Sequence, residues 1–468
     1  MNNHREKNSI IILVPLVWSY RNFIISSICD ELQKNNIVYY AIPQIAIGTF
    51  IKRGISKEHL LILNTPKSGK LQAYLFRILK HAFAKRYPVN TSTIFKKLEK
   101  KSRVKSLMKV FLFYSLPSWL FTSDIMFSLL KRIENNLYLK NLGDLREKIK
   151  EIGPSYVLST TNVVPNEWPF FRVSQNLGIK TYSHILSFDN LSSRGYLPIE
   201  RFDSYFVWNS HMGSELLKYY NVHPSKITIT GTPQFDYHID PKYLLNRNET
   251  LSILRFTEKD KYILYCANHY NISPNEPELV DCILNSFLNN SELAEYKIVL
   301  RLHPMDKYER WFTLLEKYPN ISLSLPWPHQ DKDSVYWGEP TLSDLVLFSN
   351  TLRYCKVMLN IASTVSIDAA ITNTPIVCVG FHPTKMNEGD FYRDVHFSEH
   401  YAPVMETGAT PLAISLEDLI TKICDQINIP AKFEKQRNSL KNRFLPGSIK
   451  SSTEKIIDLL NNGANQGT

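Results

Sequence analysis

The sequence predicts an α/β protein of two domains, each a parallel sheet flanked by helices. The chain has 468 residues, about three times the length of a usual single domain. Apolar runs alternate with helical patterns in both halves of the chain, and this alternation is typical of βαβ units. Hydrophobic residues make up 44% and charged residues 21% of the chain, which excludes a disordered, collagen-like or coiled-coil protein.

The first half opens with an apolar run, a helical pattern and a second apolar run, at residues 9–15, 22–35 and 37–42. A long basic region at about 67–151 has helical periodicity, so we expect a helical insertion there. Strand patterns then resume at residues 156–159, 180–185, 205–208 and 227–229. Together these segments predict a first domain over residues 1–237.

The second half repeats the alternation after a polar segment at residues 238–261, which indicates a domain boundary. Its strand patterns lie at residues 262–266, 297–302, 321–325, 357–360 and 376–379. We expect a second domain over 255–430 and a final helical segment over 431–468, whose return to the first domain the sequence leaves open. Ligands bind beyond the carboxyl ends of the strands in open parallel sheets, so we expect these edges of the two domains to face a cleft.

Cysteine usage and hydropathy favour a cytoplasmic location. The six cysteines lie far apart and form no CxxC pair, which indicates free thiols in a reducing compartment. The early apolar run IIILVPLVW is short, contains Pro15 and lacks a small-residue cleavage site, so a buried strand is favoured over a signal peptide. The longest other apolar stretch, residues 110–130, is broken by Pro117 and Asp124, and no segment reads as a membrane span.

The positive charge is concentrated in one block. Residues 67–150 contain 19 Lys and Arg against 5 Asp and Glu, a net +14, whereas the whole chain has +11, so the remainder carries +11 − 14 = −3. Seven basic residues crowd into positions 96–109, and the apolar run VFLFYSLPSWLF follows at once. This composition predicts a peripheral anchor on an anionic membrane surface. The alternative is a helical insertion whose apolar run is core; nucleic acid is disfavoured because the aromatic residues do not interleave with the basic ones.

Candidate ligand-binding residues follow the strands of the second half. Arg301 and His303 end the strand pattern YKIVL, and this pair of residue types suits a phosphate group. Ser363 and Thr364 follow the strand at 357–360 and open a helical pattern, where hydroxyl and backbone N–H groups can bind an anion. Asp368 lies one turn further on, where its carboxylate can accept ribose hydroxyls. The alternatives are a turn-capping histidine and an ordinary helix start.

Candidate catalytic residues lie in the first half. Asp189 follows the strand at 180–185 and is the preferred general base, with Glu167 and His184 as competing bases; a local turn is the alternative for Asp189. Gly231 and Thr232 follow the strand at 227–229, where Gly231 allows a tight turn beside a ligand or a simple hinge.

Two metal-like patterns are discounted. Asp331 and Asp333 lie in a polar loop, and His396 with His400 has no third ligand nearby. We therefore expect no metal ion and no cofactor.

Four segments resemble bacterial surface-polysaccharide glycosyltransferases of the GT-B fold, a set that includes CDP-glycerol glycerophosphotransferase-like proteins, capsule Kdo and sialic acid transferases and UDP-GlcNAc 2-epimerases. The segments are FVWNSHMGSELLKYY with ITITGTPQFDYH, SFDNLSSRG, RLHP, and NIASTVSIDAAITNTPIVCVGF. They lie within residues 156–381. The resemblance implies two Rossmann-like domains, the first binding an acceptor and the second a nucleotide-sugar donor.

The resemblance also implies a function. His303, Ser363 and Thr364 would hold the donor phosphates, and Asp368 would take the ribose in place of the usual Glu. The protein would transfer a sugar from a CMP-, CDP- or UDP-linked donor to a lipid-linked or growing surface glycan, such as lipopolysaccharide O-antigen or capsule. A CDP-polyol phosphotransferase, a UDP-GlcNAc 2-epimerase and a non-catalytic sugar-nucleotide-binding assembly protein remain alternatives, although the residues that an epimerase uses are not recognisable.

Overall fold

The computed structural model describes residues 7–64, 69–89, 123–326, 339–445, 447 and 450–465. They form two compact units. Unit 1 contains the described residues up to Val89, those from 123 to Thr232, and those from Ser452 onward. Unit 2 contains the described residues from Pro233 to Ser451. The chain therefore enters unit 2 after Thr232 and returns to unit 1 at Ser452.

Unit 1 is built on a seven-stranded parallel sheet. Its strands are β1 (Asn8–Leu13), β2 (Asn36–Ile42), β3 (Leu60–Ile62), β4 (Tyr156–Ser159), β5 (Lys180–His184), β6 (Ser204–Val207) and β7 (Ile227–Ile229). Their order in the sheet is β3-β2-β1-β4-β5-β6-β7. β1 lies inside the sheet, with Ile10 in register with Val38 of β2 and Tyr156 of β4. Its residues 10–13 are fully buried, as expected for a parallel strand covered on both faces.

Helices connect these strands. They are α1 (Val17–Ser19), α2 (Ile28–Asn35), α3 (Ile47–Lys52), α4 (Lys70–Arg86), α5 (Asp124–Leu139), α6 (Gly143–Ile152), α7 (Trp168–Asn176), α8 (Asn190–Ser193) and α9 (Ser210–Tyr220). The single helix expected over 22–35 is instead divided. A wider helical turn spans Tyr20–Ile25, and Ser27 then adopts a left-handed φ of 66°, which ends the first segment before α2 begins.

The basic insertion is helical where it is described, in α4, α5 and α6. Buried Phe83 of α4 and Phe127 of α5 both contact the ring of Tyr196. A buried ion pair joins Glu134 of α5 to Arg172 of α7 at 2.9 Å. These contacts attach α4 and α5 to the core of unit 1. The densest basic cluster and the apolar run after it lie outside the described residues.

Unit 2 is built on a six-stranded parallel sheet. Its strands are β8 (Tyr262–Cys266), β9 (Lys297–Arg301), β10 (Ser322–Ser324), β11 (Met358–Asn360), β12 (Ile376–Val379) and β13 (Leu412–Ala413). Their order is β10-β9-β8-β11-β12-β13, so the direction of strand progression reverses between β8 and β11. Unit 1 reverses in the same way between β1 and β4.

The helices of unit 2 include two in the segment that the sequence indicates as a boundary. They are α10 (Asp236–Ile239), α11 (Arg247–Ile253), α12 (Glu276–Leu288), α13 (Phe312–Lys317), α14 (Leu342–Tyr354), α15 (Val365–Ile371), α16 (Met386–Val395), α17 (Ala402–Met405), α18 (Leu416–Asn428) and α19 (Glu434–Phe444). In α11, Asn246 and Glu249 form a reciprocal capping box, which stabilises a helix start. This segment is thus folded into unit 2, and α20 (Ser452–Asn465) returns to unit 1.

Candidate functional site

The carboxyl ends of β8, β9 and β11 bring three polar loops together in unit 2. This is the edge at which open α/β sheets bind ligands, next to the reversal of strand order. The Asn268 side chain after β8 donates to the backbone carbonyl of Ile361 after β11 at 2.7 Å. The rings of His269 after β8 and His303 after β9 lie 5.6 Å apart, edge to face.

The hydrogen bonds of His269 and His303 show which nitrogen of each ring carries the proton. Nδ1 of His269 accepts a hydrogen bond from the Asn271 N–H, and Nδ1 of His303 accepts one from the Met305 N–H, each at 3.1 Å. Burial lowers the pKa of His269, and burial together with the nearby His269 and Arg310 lowers the pKa of His303 to about 3. Both rings are therefore neutral near pH 7 with the proton on Nε2. The Nε2–H of His303 can donate a hydrogen bond to an anion, whereas Nε2 of His269 is buried and has no partner among the described residues.

The loop that follows β11 carries two hydroxyl groups, those of Ser363 and Thr364. Ala362 adopts a left-handed φ of 43°, and its N–H donates to Nε2 of His396 at 3.2 Å. The Ser363 N–H donates to Oδ1 of Asn360 at 2.9 Å. Ser363 and Thr364 themselves are half-buried, so their side chains remain accessible. His396, discounted above as a metal ligand, is a buried support of this loop.

Asp368 has one carboxylate oxygen bound and one open. It lies on α15 with its side chain 13% exposed, and Oδ1 is 2.7 Å from Nε2 of His238. Within the described residues, Oδ2 makes no hydrogen bond. The predicted ribose contact from Asp368 therefore has an available acceptor, and His238, which the sequence reasoning missed, is its partner.

Arg301 is committed within the chain. Its guanidinium forms a bidentate pair with Asp344 at 2.7 and 2.8 Å. It also donates to the Ser324 hydroxyl and the Leu325 carbonyl, at 2.9 and 3.1 Å. These hydrogen bonds use both Nη atoms of Arg301 and none of them uses its Nε. The predicted binding role of Arg301 stays a prediction; in the structure it joins β9 to α14.

A second buried charge network, which the sequence reasoning also missed, supports the loop after β8. Both carboxylate oxygens of Glu276 accept the Asn268 N–H, at 3.1 and 3.0 Å. Arg310 pairs with Glu276 at 3.2 Å and with Asp306 at 2.8 Å. Burial raises the pKa of Glu276 to about 7. This network fixes the backbone that carries His269.

In unit 1, Glu167 is fully buried and holds the loop after β4. Its Oε1 accepts the Thr160 N–H at 3.1 Å. Its Oε2 accepts the Asn162 N–H at 2.7 Å and the hydroxyls of Ser159 and Thr161 at 3.2 and 2.5 Å. Burial raises its pKa to about 7 against these hydrogen bonds, which lower it. These contacts organise the loop; the predicted catalytic role of Glu167 stays a prediction.

His184 and Thr232 are buried polar residues whose side chains lack hydrogen bonds to the described residues. Both ring nitrogens of His184 and the hydroxyl of Thr232 are without a partner there. His184 ends β5, contacts Phe23 edge to face at 5.1 Å, and has a pKa lowered to about 4 by burial. Gly231 adopts a φ of 76°, as expected for a tight turn. The roles assigned to these residues remain untested predictions.

Asp189 lies in a small hydrogen-bonded loop before α8. Its carboxylate accepts the hydroxyls of Ser187 and Ser193, the latter at 3.0 Å. Oδ1 of Asn190 accepts the Ser187 N–H at 3.1 Å, so a local turn is present. Asp189 is 8% exposed. The loop fixes the carboxylate, and its predicted role as base stays a prediction.

Metal-ligand clusters and membrane-spanning helices are both absent from the residues that the structure describes. No group of three or more His, Cys, Asp and Glu side chains there could hold a metal ion; Asp331 and Asp333 fall outside these ranges. No helix in the same ranges combines the length and apolar character needed to cross a bilayer.

Comparisons with known proteins establish the fold. No family model and no curated protein sequence matches the chain. Similar solved structures include a UDP co-structure of MnaA from S. aureus, 13% identical over 98% of this chain and 97% of that one, with a TM-score of 0.55. UDP-GlcNAc 2-epimerase from Methanocaldococcus jannaschii is 14% identical over 97% and 99% of the two chains, with a TM-score of 0.55. A glycosyltransferase from Rickettsia africae is 11% identical over 98% and 99%, with a TM-score of 0.50. The chain therefore has the GT-B fold that the sequence predicts.

Proposed function

We propose that the protein is a glycosyltransferase that takes a sugar from a CMP-, CDP- or UDP-linked donor and transfers it to a lipid-linked or growing surface glycan, such as O-antigen or capsule. The observation that carries the donor half of this proposal is the convergence at the carboxyl ends of β8, β9 and β11. The neutral imidazole N–H of His303, two accessible hydroxyls and one open carboxylate oxygen belong to these loops and to the helix that follows β11.

Each group has a distinct role in the proposal. The Nε2–H of His303 donates to a donor phosphate oxygen, and the hydroxyls of Ser363 and Thr364 add two further donors. Oδ2 of Asp368 accepts a ribose hydroxyl. Hydrogen bonds to a charged oxygen are stronger than neutral ones, so these groups can stabilise the charge of the departing nucleotide without a metal ion.

Asp189 is the proposed base of unit 1. Its carboxylate takes the proton of the acceptor hydroxyl while that oxygen bonds to the anomeric carbon of the sugar. The bond from the anomeric carbon to the phosphate oxygen breaks, and its electron pair leaves with the nucleotide. Asp189 is preferred to Glu167 because the carboxylate of Glu167 is enclosed by four donors of its own loop.

A second candidate is a nucleotide-sugar 2-epimerase. It is favoured by the similarity to solved structures that are themselves described as UDP-GlcNAc 2-epimerases, over nearly the full length of both chains. An epimerase needs no acceptor, and this difference separates the two candidates.

Titration calorimetry against UDP, CDP, CMP and GDP tests the donor site first. We expect one nucleotide to bind, and no binding to any of them would reject the proposal in favour of a scaffold protein. The donor is then incubated with and without a lipid-linked glycan acceptor. Nucleotide release that depends on the acceptor supports the transferase, whereas isomerisation of UDP-GlcNAc without acceptor supports the epimerase.

The proposed location is the cytoplasmic face of the inner membrane. In α5, Ile125, Leu129 and Ile133 are 84%, 48% and 40% exposed, and their spacing of four puts them on one helix face. Exposed Arg132 lies beside them. Exposed apolar and basic residues together suit an anionic lipid surface.

Co-sedimentation with vesicles tests this location. Binding should require anionic lipid, weaken with salt and fall when Ile125, Leu129 and Ile133 are all replaced by Asn. Glu substitution of Lys96, Lys97, Lys100 and Lys101 should weaken it further. Leu288→Asn is a matched control, because Leu288 is 63% exposed in unit 2. A protein that stays in the supernatant with anionic vesicles at low salt would refute the membrane association.

A further inference from the structure

His238 connects two helices of unit 2 through its ring. It lies on α10, and its ring is 3% exposed. Nδ1 is 2.9 Å from the Ser349 hydroxyl on α14, and Nε2 is 2.7 Å from Oδ1 of Asp368 on α15. The backbone is fixed as well, because Arg353 donates to the carbonyl of His238 at 2.6 Å.

The hydrogen bonds around Ser349 define the proton positions on this ring. The Ser349 hydroxyl has one proton, and it lies 2.9 Å from the backbone carbonyl of Tyr237. That carbonyl can only accept, so the hydroxyl donates to it, and the hydroxyl oxygen accepts from Nδ1–H of His238. Nε2 faces a carboxylate. Both ring nitrogens of His238 therefore take part in hydrogen bonds, Nδ1 with Ser349 and Nε2 with Asp368.

The ring of His238 is enclosed by its neighbours. Phe348 of α14 contacts the ring at a centroid distance of 6.5 Å. Of the nearby arginines, Arg301 binds Asp344 and Arg353 donates to the backbone carbonyl of His238. Asp368 is the acidic side chain that the ring itself contacts. Its Oδ1 is held, and its partly exposed carboxylate cannot rotate freely.

We infer that His238 is a positioning residue that fixes the Asp368 carboxylate so that Oδ2 accepts a ribose hydroxyl of the bound nucleotide. The inference rests on the proposed function and adds a residue to it. The resemblance described above implies Glu at the position of Asp368. The Asp side chain is one methylene shorter, so whether its carboxylate reaches a ribose hydroxyl depends on a fixed orientation. The buried imidazole behind the carboxylate supplies that orientation through its hydrogen bond to Oδ1.

Two substitutions separate the two hydrogen bonds of the ring. His238→Gln places an amide nitrogen near the position of Nε2 and can still donate to Asp368. His238→Asn places it near Nδ1, so it keeps the Ser349 contact and loses the Asp368 contact. The two variants are similar in polarity and both replace the imidazole with an amide, so a difference between them reports on the Asp368 contact.

The measurement is the binding of UDP and of 2′,3′-dideoxy-UDP, with the CDP, CMP and GDP pairs run in parallel. We expect His238→Asn to weaken UDP binding about tenfold, the range for a lost hydrogen bond to a charged group, and to leave the dideoxy analogue unchanged. His238→Gln should retain most of the wild-type preference for UDP over the dideoxy analogue. In Asp368→Ala, which removes the carboxylate, adding His238→Asn should cause no further loss.

Equal weakening of both ligands in His238→Asn would overturn the inference, because it would indicate a purely structural role. The inference would also be overturned if His238→Asn preferred UDP over the dideoxy analogue as strongly as the wild type does. Nitrogen-15 NMR of the histidine rings gives a ligand-free measurement: a His238 Nε2 resonance that shifts in Asp368→Asn supports the contact, and an unchanged resonance refutes it. Failure of all four nucleotides to bind the wild type would instead reject the proposed function, and the ribose role with it.

Discussion

Units 1 and 2 share a strand order but use their carboxyl edges differently. Counted within each unit, both sheets run 3-2-1-4-5-6, with a seventh strand in unit 1. At the edge of unit 1, Glu167 is enclosed by donors from its own loop, and His184 is completely buried. At the edge of unit 2, His303 and Asp368 each use one polar atom inside the protein and leave another open.

The difference shows that burial of a polar group and its availability to a ligand are separate properties. Glu167 has a strongly raised pKa, which is often a sign of an active site. Its contacts nevertheless account for both oxygens. Asp368 has an ordinary helix position, but one oxygen is held and the other is open. At Glu167, a raised pKa thus accompanies a side chain whose hydrogen-bonding capacity is used within its own loop.

The largest expected effect concerns Asp189, the proposed functional carboxylate of unit 1. Asp189→Asn should lower kcat by roughly 10²–10⁴-fold, the usual contribution of a general base, with donor affinity unchanged. Ser193→Ala is the control, because it removes one hydrogen bond to this carboxylate and keeps the base. Steady-state kinetics with donor and acceptor give the comparison. Near-normal turnover of Asp189→Asn would move the base to Glu167 or His184.

Substitutions at the open edge of unit 2 should have the next largest effect. His303→Ala and Ser363→Ala should each weaken nucleotide binding by about 1–3 kcal/mol, since a phosphate oxygen loses a donor. Calorimetry measures the change. Thr421→Ala, which alters an exposed hydroxyl of α18, should bind as the wild type does. Unchanged binding in both site variants would remove the donor from this edge.

Glu167→Gln should affect stability, with a dependence on pH. The amide offers an N–H to backbone donors, so we expect a loss of roughly 1–3 kcal/mol. Burial raises the folded-state pKa to about 7 from 4.5, so between these values the folded protein binds more protons than the unfolded one. The contribution of the Glu167 carboxyl group to the free energy of unfolding is full below about pH 4.5 and falls as the pH rises through 7.

Urea unfolding of the wild type and Glu167→Gln at pH 5 and pH 8 measures this effect. The advantage of the wild type should be larger at pH 5. An equal difference at the two values would mean that Glu167 does not titrate in this range, and would weaken the contrast between the two edges.

The smallest expected effect is that of metal removal. If the imidazole and hydroxyl donors of unit 2 stabilise the donor phosphates, activity should be the same with and without EDTA. Initial rates before and after chelation test this expectation, with re-addition of Mg²⁺ as the control. A loss that Mg²⁺ restores would show that these donors are insufficient.

The fold was predictable where strands are long and buried on both faces. β1 and β8 lie in continuous apolar runs, and such runs can be recognised without knowledge of the adjacent strands of the sheet. β3 and β13 were not predicted, because they have three and two residues and carry too little pattern. Ser27 was missed because nothing in its local sequence requires a left-handed conformation.

The candidate site was predictable where residues directly follow a strand. Ser363 and His303 were found on that signal. His269 follows β8 in the same way, so the signal was present and unused. His238 could not be found, because it meets Asp368 across 130 positions of sequence and precedes a segment whose polarity resembles a linker. Such long-range pairs depend on packing, which local patterns do not encode.

The return of α20 to unit 1 has a consequence for the order of events during synthesis. α20 packs against α2, and its Ile456 and Leu460 are completely buried. The described residues of unit 2 are all translated between β7 and α20, so the sheet of unit 2 can form on the ribosome while the α2 face still lacks its cover. The unit that begins first in the sequence is therefore completed last. We expect the apolar face of α2 to stay uncovered in nascent chains until residues 452–465 emerge.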